Sequence, residues 1–262
     1  RLGRWLTGRA VGIALAGGGA RSFAHLGVIR ALREHGIPLD TAAGTSLGAI
    51  VASGISLDFS HDDLMSRFRI MVETNPTKGD YLFIPRSSLL SGRKLDRLIP
   101  HLLPDVDIED CWKGFACVSA NITHPAEHIH QSGSLLKSLR ATVSIPGVFP
   151  PVRIDGGELL VDGGVVNNLP ADVLRDAGAG RIIACDQGGS GGRQDGEPDN
   201  PNAIGVIMRS VILHSRISGQ AWRRAADLYI ESPVGDIGLL EWNKFETAVQ
   251  RGYDEARRHL ES

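Results

Sequence analysis

Cysteine, basic charge and long apolar runs are all scarce in this sequence, and each shortage excludes a class of protein. The three cysteines, Cys111, Cys117 and Cys185, are unevenly spaced. They support neither a disulfide framework nor a zinc knuckle, and they favour a reducing compartment. With 28 basic and 30 acidic residues the net charge is −2, without the basic excess that nucleic-acid-binding proteins usually carry. No apolar run approaches the roughly 20 residues that are needed to cross a bilayer.

What is present suits one large α/β domain or two small ones. Hydrophobic residues make up 42% of the 262-residue chain, which is enough for a sizeable core. We expect residues 1–10 (RLGRWLTGRA) to be a linker or N-terminal arm and residues 11–262 to be one domain. Because the chain begins with Arg1 and shows no signal peptide, we expect it to be a piece of a longer protein.

Strand-like and helix-like segments alternate at the start of the chain, which is typical of a parallel sheet covered by helices. A strand is predicted at Val11–Ala16, a helix at Phe23–His35 and a second strand at Pro38–Ala43. Further strands are predicted at 158–162, at 181–186 and twice within 115–131. Further helices are predicted over 64–72 (capped by Ser60 or Asp62), from Pro170 as the first helical residue, and over 203–226 and 244–260. Residues 187–202 are of low complexity and predict a surface loop.

The segment Gly44-Thr45-Ser46-Leu47-Gly48 fits the G-x-S-x-G pattern of a nucleophile elbow. It lies where a predicted strand passes into a predicted helix, so the turn lifts the Ser46 hydroxyl clear of the backbone and the helix N-terminus points at it. A serine hydroxyl is a poor nucleophile until a neighbouring base takes its proton. The pattern also occurs by chance in turns that serve packing alone, so Ser46 is at this point a candidate nucleophile.

A second glycine-rich segment, Gly17-Gly18-Gly19-Ala20-Arg21, follows the first predicted strand. A dinucleotide-binding loop is disfavoured because the third glycine is missing and the second strand ends in Gly44-Thr45-Ser46 instead of a ribose-binding acid. Consecutive glycines let backbone N–H groups converge on an oxyanion. An anion cradle and a glycine turn needed only for packing both remain open.

A third segment, Asp162-Gly163-Gly164, ends a predicted strand. Its glycines allow a close backbone approach, although Asp-Gly-Gly is also common in ordinary turns. An α/β-hydrolase triad would place its histidine downstream of the acid. Only His214 and His259 are available there, both in predicted helices, and the serine arrives after only two strands.

The ordered set Gly-Gly-Gly-x-Arg, Gly-x-Ser-x-Gly and Asp-Gly-Gly resembles the patatin-like phospholipases. Four longer segments are most similar to the neuropathy-target-esterase branch of that family, in its bacterial-type catalytic domain: LAGGGARSFAHLGVIRAL, HQSGSLLKSLRATVSIPGVFPPV, DGGVVNNLPADVLRDAGAGRIIACD and LLEWNKFETAVQRGYDEAR. The resemblance covers residues 10–260. It implies an α/β, three-layer fold with a central, largely parallel sheet flanked by helices.

The resemblance also implies roles for single residues. Ser46 would attack the acyl carbonyl, and Asp162 would take and return the proton with no histidine. The oxyanion hole would lie in the loop Gly17, Gly18, Gly19, Ala20 and Arg21, with Arg21 bracing the loop. The elbow residues Gly44, Thr45, Leu47 and Gly48 and the glycines Gly163 and Gly164 would shape the site. No metal and no cofactor is implied.

We therefore expect a serine hydrolase of phospholipid or lysophospholipid acyl esters. We expect it to be cytoplasmic with peripheral contact to the inner membrane face, without nucleic acid, and with upstream domains in the longer protein. The alternative from another class is a non-catalytic lipid-binding or regulatory module on the same scaffold, against which an intact Ser46 and Asp162 argue.

Two features remain outside this assignment. His124, His128 and His130 cluster around a turn without carboxylate or cysteine partners, so we interpret them as exposed strand residues and not as a metal site. The apolar stripe Leu64–Val72 is typical of core. Together with YLFIP at 81–85 it has a second interpretation, an apolar rim that meets a lipid surface.

Overall fold

Short apolar segments form one sheet in the computed structural model, which describes residues 1–84, 87–154, 156–187, 206, 210 and 224–261. Within these residues the sheet has eight strands. They are β1 (Val11–Leu15), β2 (Thr41–Thr45), β3 (Gly114–Asn121), β4 (Ala126–His130), β5 (Val152–Arg153), β6 (Leu159–Asp162), β7 (Arg181–Asp186) and β8 (Leu228–Glu231).

The strand order is β5-β6-β3-β2-β1-β7-β8, and β4 pairs with β3. Five neighbouring strands, from β3 through β2, β1 and β7 to β8, are parallel. The strands β4, β5 and β6 are joined by antiparallel pairs. The prediction of a largely parallel sheet is therefore confirmed. The carboxyl ends of β1 and β2 meet at one edge of the sheet, which is where ligands bind in open α/β sheets.

One edge of β3 is shared by two strands. Val118 pairs with Thr45 of the parallel strand β2, and the next residue, Ser119, pairs with Asp162 of the antiparallel strand β6. Because β4 pairs along 117–121 and occupies the other edge, β2 and β6 must lie on the same side. The last residues of β2 and β6 therefore meet end to end.

Helices cover both faces of the sheet and give the three layers that the resemblance implied. The helices are α1 (Leu2–Leu6), α2 (Ala24–Glu34), α3 (Leu47–Ser56), α4 (His61–Thr74), α5 (Arg93–Leu102), α6 (Leu135–Thr142), α7 (Ala171–Asp176) and α8 (Phe245–Leu260). One large apolar cluster lies under α2–α6 and α8, and a smaller one lies on the opposite face under α7. The long helices α2 and α8 approach closely because Gly27 and Gly252 carry no side chain; a Cβ on either would overlap a backbone carbonyl of the other helix.

Most predicted elements are present, with shifted ends. Strand β2 begins at Thr41 and continues through Thr45, later than the predicted 38–43. Ser60 caps α4 in a capping box with Asp63. Pro170 was predicted as the first residue of its helix but is the cap, because α7 begins at Ala171. Helices α5 and α6 were not predicted. Of the surface loop predicted at 187–202, Gln187 is described and is buried, so the prediction is wrong at that residue. The rest of that loop and most of the helix predicted at 203–226 lie outside the described residues.

The apolar stripe of α4 belongs to the core. Leu64, Phe68 and Met71 are buried, and Phe68 meets the ring of Phe23 edge-on with centroids 6.0 Å apart. The interpretation of residues 64–72 as a lipid-facing rim is therefore wrong. Helical spacing alone does not distinguish a stripe that faces a core from one that faces lipid.

The first ten residues include the short helix α1, which is tied to the domain by one ion pair. The Arg4 guanidinium donates two hydrogen bonds to the buried Asp40 carboxylate, at 2.6 and 2.8 Å. Asp40 also accepts the backbone N–H of Val11, so the arm is fixed at the start of β1. In the part of the chain that the structure describes, no helix combines the length and apolarity needed to cross a membrane.

Candidate active site

Ser46 lies at the tip of the turn between β2 and α3. Its φ of 54° is in the left-handed region that residues other than glycine rarely adopt, and such backbone strain costs on the order of 1–3 kcal/mol. Helix α3 begins at the next residue, Leu47, so the positive end of the helix is directed at the serine. This geometry is that of a nucleophile elbow.

The two glycines of the elbow are required by close packing. A Cβ on Gly44 would lie 2.6 Å from backbone atoms of Gly48 and Ala49. A Cβ on Gly48 would overlap the carbonyl of Leu15 at the end of β1. Both positions therefore exclude any side chain, and the tight turn brings Ser46 against the loop that follows β1.

A threonine from α6 holds the strained serine in place. The backbone N–H of Ser46 donates to Oγ1 of Thr142 at 3.0 Å. The Thr142 hydroxyl in turn donates to the carbonyl of Val118 on β3. Thr142 is fully buried, so it links the nucleophile turn to the central sheet without access to water.

Asp162, the last residue of β6, is buried where β6 ends against β2, and the Ser46 hydroxyl is one of the groups that act on its carboxylate. Its Oδ1 accepts the backbone N–H of Gly164 at 2.8 Å. Gly163 lets the chain pass close to β3, because a Cβ there would overlap the Val118 carbonyl. Burial raises the pKa of Asp162 to about 6, and the Ser46 hydroxyl and the N–H of Gly164 oppose that rise. The carboxylate is thus ionised at neutral pH and is a stronger base than an exposed aspartate.

The glycine loop lies directly against the serine. A Cβ on Gly17 would lie 2.9 Å from Cβ of Ser46. The N–H of Gly17 donates to the Asn168 carbonyl at 3.2 Å, that of Ala20 to Leu239 at 2.9 Å, and that of Arg21 to Gly18 at 3.2 Å. These three N–H groups are therefore engaged elsewhere. No residue that the structure describes accepts the N–H of Gly18 or Gly19, which narrows the candidate oxyanion donors to these two.

Buried polar side chains support the glycine loop from behind. Gln187 donates to the Ala16 carbonyl at 2.6 Å and to the Ser22 hydroxyl at 2.8 Å, and it also contacts His25. Burial lowers the pKa of His25 to about 4, so this imidazole is neutral. Arg21 is buried and its Nε donates to the Ile237 carbonyl at 2.5 Å. Arg21 therefore ties the glycine loop to the segment that holds Ile237.

Several site residues were not singled out from the sequence. Asn168 binds both backbone groups of Gly17, and the Asn167 carbonyl accepts the hydroxyl of Thr45 at 2.8 Å. These two asparagines join all three glycine-containing segments. They follow Asp-Gly-Gly in the segment DGGVVNNLP, but an Asn-Asn pair carries no pattern that reports such contacts. Thr142 and Gln187 had no recognisable signal either.

Of the histidines that the sequence analysis singled out, one departs from expectation. His124 is exposed, but His130 is buried, and its Nε2 lies 3.0 Å from the Ser119 hydroxyl. Burial lowers the pKa of His130 to about 4. The prediction that it is exposed was wrong because β4 pairs along β3 and turns this ring inward. His259 on α8 lies 3.3 Å from Glu255. His214 is outside the described residues.

No cluster of histidine, cysteine and carboxylate side chains that could hold a metal is found among the residues that the structure describes. The three cysteines are free thiols, and burial raises the pKa of Cys117 and Cys185 well above the usual range.

The sheet, the elbow serine and the adjacent carboxylate together define an α/β protein with a serine-centred site, and comparison with known proteins gives its family. Residues 13–175 match the patatin-like phospholipase family. The chain is 40% identical over 287 residues to an uncharacterised NTE family protein of Mycobacterium tuberculosis, covering 100% of this chain and 48% of that protein. It is 34% identical over 281 residues to lysophospholipase NTE1 of Kluyveromyces lactis, covering 97% of this chain and 19% of that protein.

A mouse relative, patatin-like phospholipase domain-containing protein 7, is 32% identical over 283 residues, which cover 98% of this chain and 21% of that protein. The crystal structure of VipD from Legionella pneumophila is similar in fold, with a TM-score of 0.53 at 16% identity over 96% of this chain and 66% of that one. The chain belongs to the patatin-like phospholipase family, in its NTE-like branch. It spans less than half the length of the curated relatives named here.

Proposed function

We propose that this chain hydrolyses the acyl ester bonds of phospholipids or lysophospholipids through a dyad of Ser46 and Asp162. The observation that carries the proposal is the meeting of a strained serine at a nucleophile elbow with the buried carboxylate of Asp162, which the register of β2 and β6 on β3 brings together. The family supports a lipid ester as substrate, since relatives include lysophospholipase NTE1. A non-catalytic lipid-binding module has no need for a strained serine paired with a buried acid.

In the first half-reaction the Ser46 oxygen attacks the acyl carbonyl carbon while its proton passes to Asp162. The negative oxygen of the tetrahedral intermediate accepts hydrogen bonds from the N–H groups of Gly18 and Gly19. The intermediate collapses as the ester C–O bond breaks, and protonated Asp162 returns its proton to the departing alcohol oxygen. The acyl group is then bonded to Ser46.

In the second half-reaction a water molecule attacks the acyl-enzyme. Asp162 takes one proton of the water as the new C–O bond forms, and the same N–H groups hold the oxyanion. When the bond to Ser46 breaks, the proton passes from Asp162 to the serine oxygen, and the fatty acid leaves. A carboxylate with a pKa of about 6 suits both steps. It is ionised at neutral pH, and its pKa is close enough to ~7 that it can accept and return a proton readily.

We also propose that the domain meets its substrate at the cytoplasmic face of a membrane, as a peripheral protein that forms part of a longer chain. The buried free thiols of Cys117 and Cys185 are consistent with a reducing compartment. Relatives more than twice the length of this chain support the presence of further domains. The near-neutral net charge of −2 gives no support to a nucleic-acid partner.

The test is covalent labelling with a fluorophosphonate probe, followed by peptide mapping and by hydrolysis of micellar lysophospholipid. We expect one labelled residue, Ser46, and loss of both labelling and hydrolysis in Ser46→Ala. A matched control is Ser53→Ala, which changes a buried serine of α3 whose hydroxyl donates to the carbonyl of Ile50. Labelling of a different serine, or folded protein that binds lysophospholipid without hydrolysing it, would overturn the proposal.

A further inference from the structure

Four consecutive apolar residues, Tyr81–Ile84, are displayed to solvent, and we call them the apolar loop. The exposed fractions are 70% for Tyr81, 37% for Leu82, 100% for Phe83 and 69% for Ile84. Single exposed apolar residues are common on soluble proteins, but a contiguous group of large ones marks an interaction surface. The exposure of Phe83 is complete, so its ring packs against nothing in the described part of this chain.

The segment before the apolar loop is tied to the oxyanion side of the active site. The indole N–H of Trp242 donates to the hydroxyl of Thr77 at 3.0 Å. Three residues before Trp242, the carbonyl of Leu239 accepts the N–H of Ala20 in the glycine loop at 2.9 Å. The base of the apolar loop and the glycine loop are thus fixed to the same short segment.

The segment after the apolar loop is tied to the side of the site that holds Asp162. The N–H groups of Leu89 and Leu90 donate to the carbonyls of Gly147 and Val148, both at 2.9 Å. Gly147 and Val148 follow shortly after Ser144, whose carbonyl accepts the N–H of Asp162 at 2.9 Å. The apolar loop is therefore anchored on one side to the segment that contacts the glycine loop, and on the other side to the segment that contacts Asp162.

Cations surround the base of the apolar loop. Lys78 and Arg93 are exposed, and the Lys94 ammonium donates to the carbonyl of Lys78 at 2.5 Å. Asp80, the carboxylate that directly precedes the loop, accepts the hydroxyl of Ser91 at 2.5 Å. Exposed apolar residues flanked by basic residues are typical of segments that bind anionic membranes. The apolar side chains enter the boundary of the acyl chains, and the cations remain at the headgroups.

We propose that the apolar loop inserts into the interfacial layer of an anionic lipid bilayer and so holds the mouth of the Ser46 site against the membrane. The proposal rests on the proposed function, because a lipid ester hydrolase must take its substrate from such a layer. It adds to that function a specific docking element, Tyr81–Ile84, and a preference for anionic headgroups set by Lys78, Arg93 and Lys94.

The direct test is flotation with vesicles of ether-linked phosphatidylcholine and phosphatidylglycerol, which an esterase cannot hydrolyse. Phe83→Asp should lower the vesicle partition coefficient about tenfold or more, because an aromatic side chain is lost from the interface and a negative charge is added. The melting temperature should be unchanged, since Phe83 is 100% exposed.

Trp112→Asp is the matched control. Trp112 is also an exposed aromatic residue, with an exposed fraction of 74%. It lies two residues before β3 begins, at the amino end of that strand and so at the opposite edge of the sheet from Ser46. Its replacement should leave vesicle binding at the wild-type level. Equal binding by wild type and Phe83→Asp, or equal losses in the Phe83 and Trp112 variants, would overturn the proposal.

Two further measurements separate this proposal from the proposed function and from a protein partner. A short monomeric ester should be hydrolysed at the same rate by wild type and by Phe83→Asp. If the wild type does not hydrolyse this ester at all, the proposed function is contradicted, whereas the vesicle-binding result still tests the docking. Binding to pure phosphatidylcholine vesicles should be weaker than to the anionic mixture, and Lys78→Gln should narrow the difference. If Phe83→Asp instead converts a dimer to a monomer and leaves vesicle binding intact, the loop is a contact between copies of this chain, and membrane docking is wrong.

Discussion

Ser46 and Asp162 meet because their strands end head to head on one edge of β3. Thr45, the residue before Ser46, pairs with Val118, and Asp162 pairs with the next residue, Ser119. The parallel strand β2 and the antiparallel strand β6 thus pair with consecutive stretches of the same strand, β3. The spacing of the pair is set by main-chain hydrogen bonds of the sheet, so neither side chain needs a flexible loop to reach the other.

The first prediction concerns the pH dependence of hydrolysis. Asp162 must be ionised to accept the serine proton, and burial raises its pKa to about 6. We expect kcat/KM, which reports the pKa of the free enzyme, to fall about tenfold per pH unit below that value, while circular dichroism shows a folded protein. A rate that stays constant down to the pKa of an exposed aspartate, about 4, would contradict the geometry described for this carboxyl group.

The second prediction concerns stability. The pKa values of His25 and His130 are lowered from 6.5 to about 4 by burial, so both rings are neutral in the folded protein. The unfolded chain binds protons at these histidines between pH 6.5 and about 4. Their contribution is therefore complete above pH 6.5 and is lost as the pH falls toward 4, by up to ~1.4 kcal/mol per pH unit for each ring.

Asp162 acts in the opposite direction over part of this range. Its folded pKa of about 6 is above the ordinary aspartate value of 3.8, so the folded protein takes up its proton first and gains stability as the pH falls between those values. Urea unfolding at a series of pH values measures the sum, which we expect to decrease on acidification because two histidines outweigh one aspartate. His130→Gln, which removes one titrating ring, should flatten the dependence; an unchanged dependence would show that His130 is not neutral.

The third prediction concerns Gly18, whose replacement should lower kcat, whereas replacement of a glycine with only a structural role should not. A Cβ on Gly18 would overlap Oε1 of Gln187, so Gly18→Ala displaces this side chain from the Ala16 carbonyl and the Ser22 hydroxyl, where it supports the loop that carries the two candidate oxyanion donors. We expect kcat to fall by about 10²-fold, the scale for one lost donor. Gly36→Ala is the control, because Gly36 has a positive φ of 66° but no atom within 4 Å of the position that a Cβ would take. It should cost stability and leave kcat near the wild-type value; equal kcat values for the two variants would contradict the oxyanion assignment.

The fourth prediction concerns Thr142 as a positioning residue. Thr142→Val keeps the shape but leaves the buried N–H of Ser46 without its acceptor, which costs about 1–3 kcal/mol. We expect kcat and the rate of fluorophosphonate labelling to fall together by about tenfold or more, with KM unchanged. Thr142→Ser keeps the hydroxyl and should restore most of both. If the serine variant is as slow as the valine variant, the hydroxyl does not position Ser46.

Local patterns in the sequence predicted the parts of the site that depend on local geometry. Gly44 and Gly48 flank Ser46 because a tight strand-to-helix turn permits no side chain at either position, and such a constraint is visible as a motif. The periodicity of the α4 stripe favoured a core position, which is confirmed, but it did not by itself exclude the lipid-facing rim, since amphipathic helices of both kinds share that spacing.

The meeting of the two catalytic candidates depends on register between distant strands. Asp162 reaches Ser46 only because β6 pairs with β3 at Ser119, and a single chain carries no local signal for that pairing. The same holds for Thr142, whose helix α6 was not predicted, and for His130, which β4 turns into the interior. The family resemblance assigned Asp162 its role from related chains; the structure supplies the physical reason for the proximity.

The most direct test of the dyad compares four folded variants in one assay of micellar lysophospholipid hydrolysis: Ser46→Ala, Asp162→Asn, His214→Ala and His259→Ala. Asp162→Asn is nearly isosteric but cannot take the serine proton, so we expect kcat to fall by about 10³-fold or more, close to the level of Ser46→Ala. Both histidine variants should retain most of the wild-type rate. A folded histidine variant as inactive as Ser46→Ala, or an Asp162→Asn protein with near-normal turnover, would contradict the Ser46–Asp162 dyad.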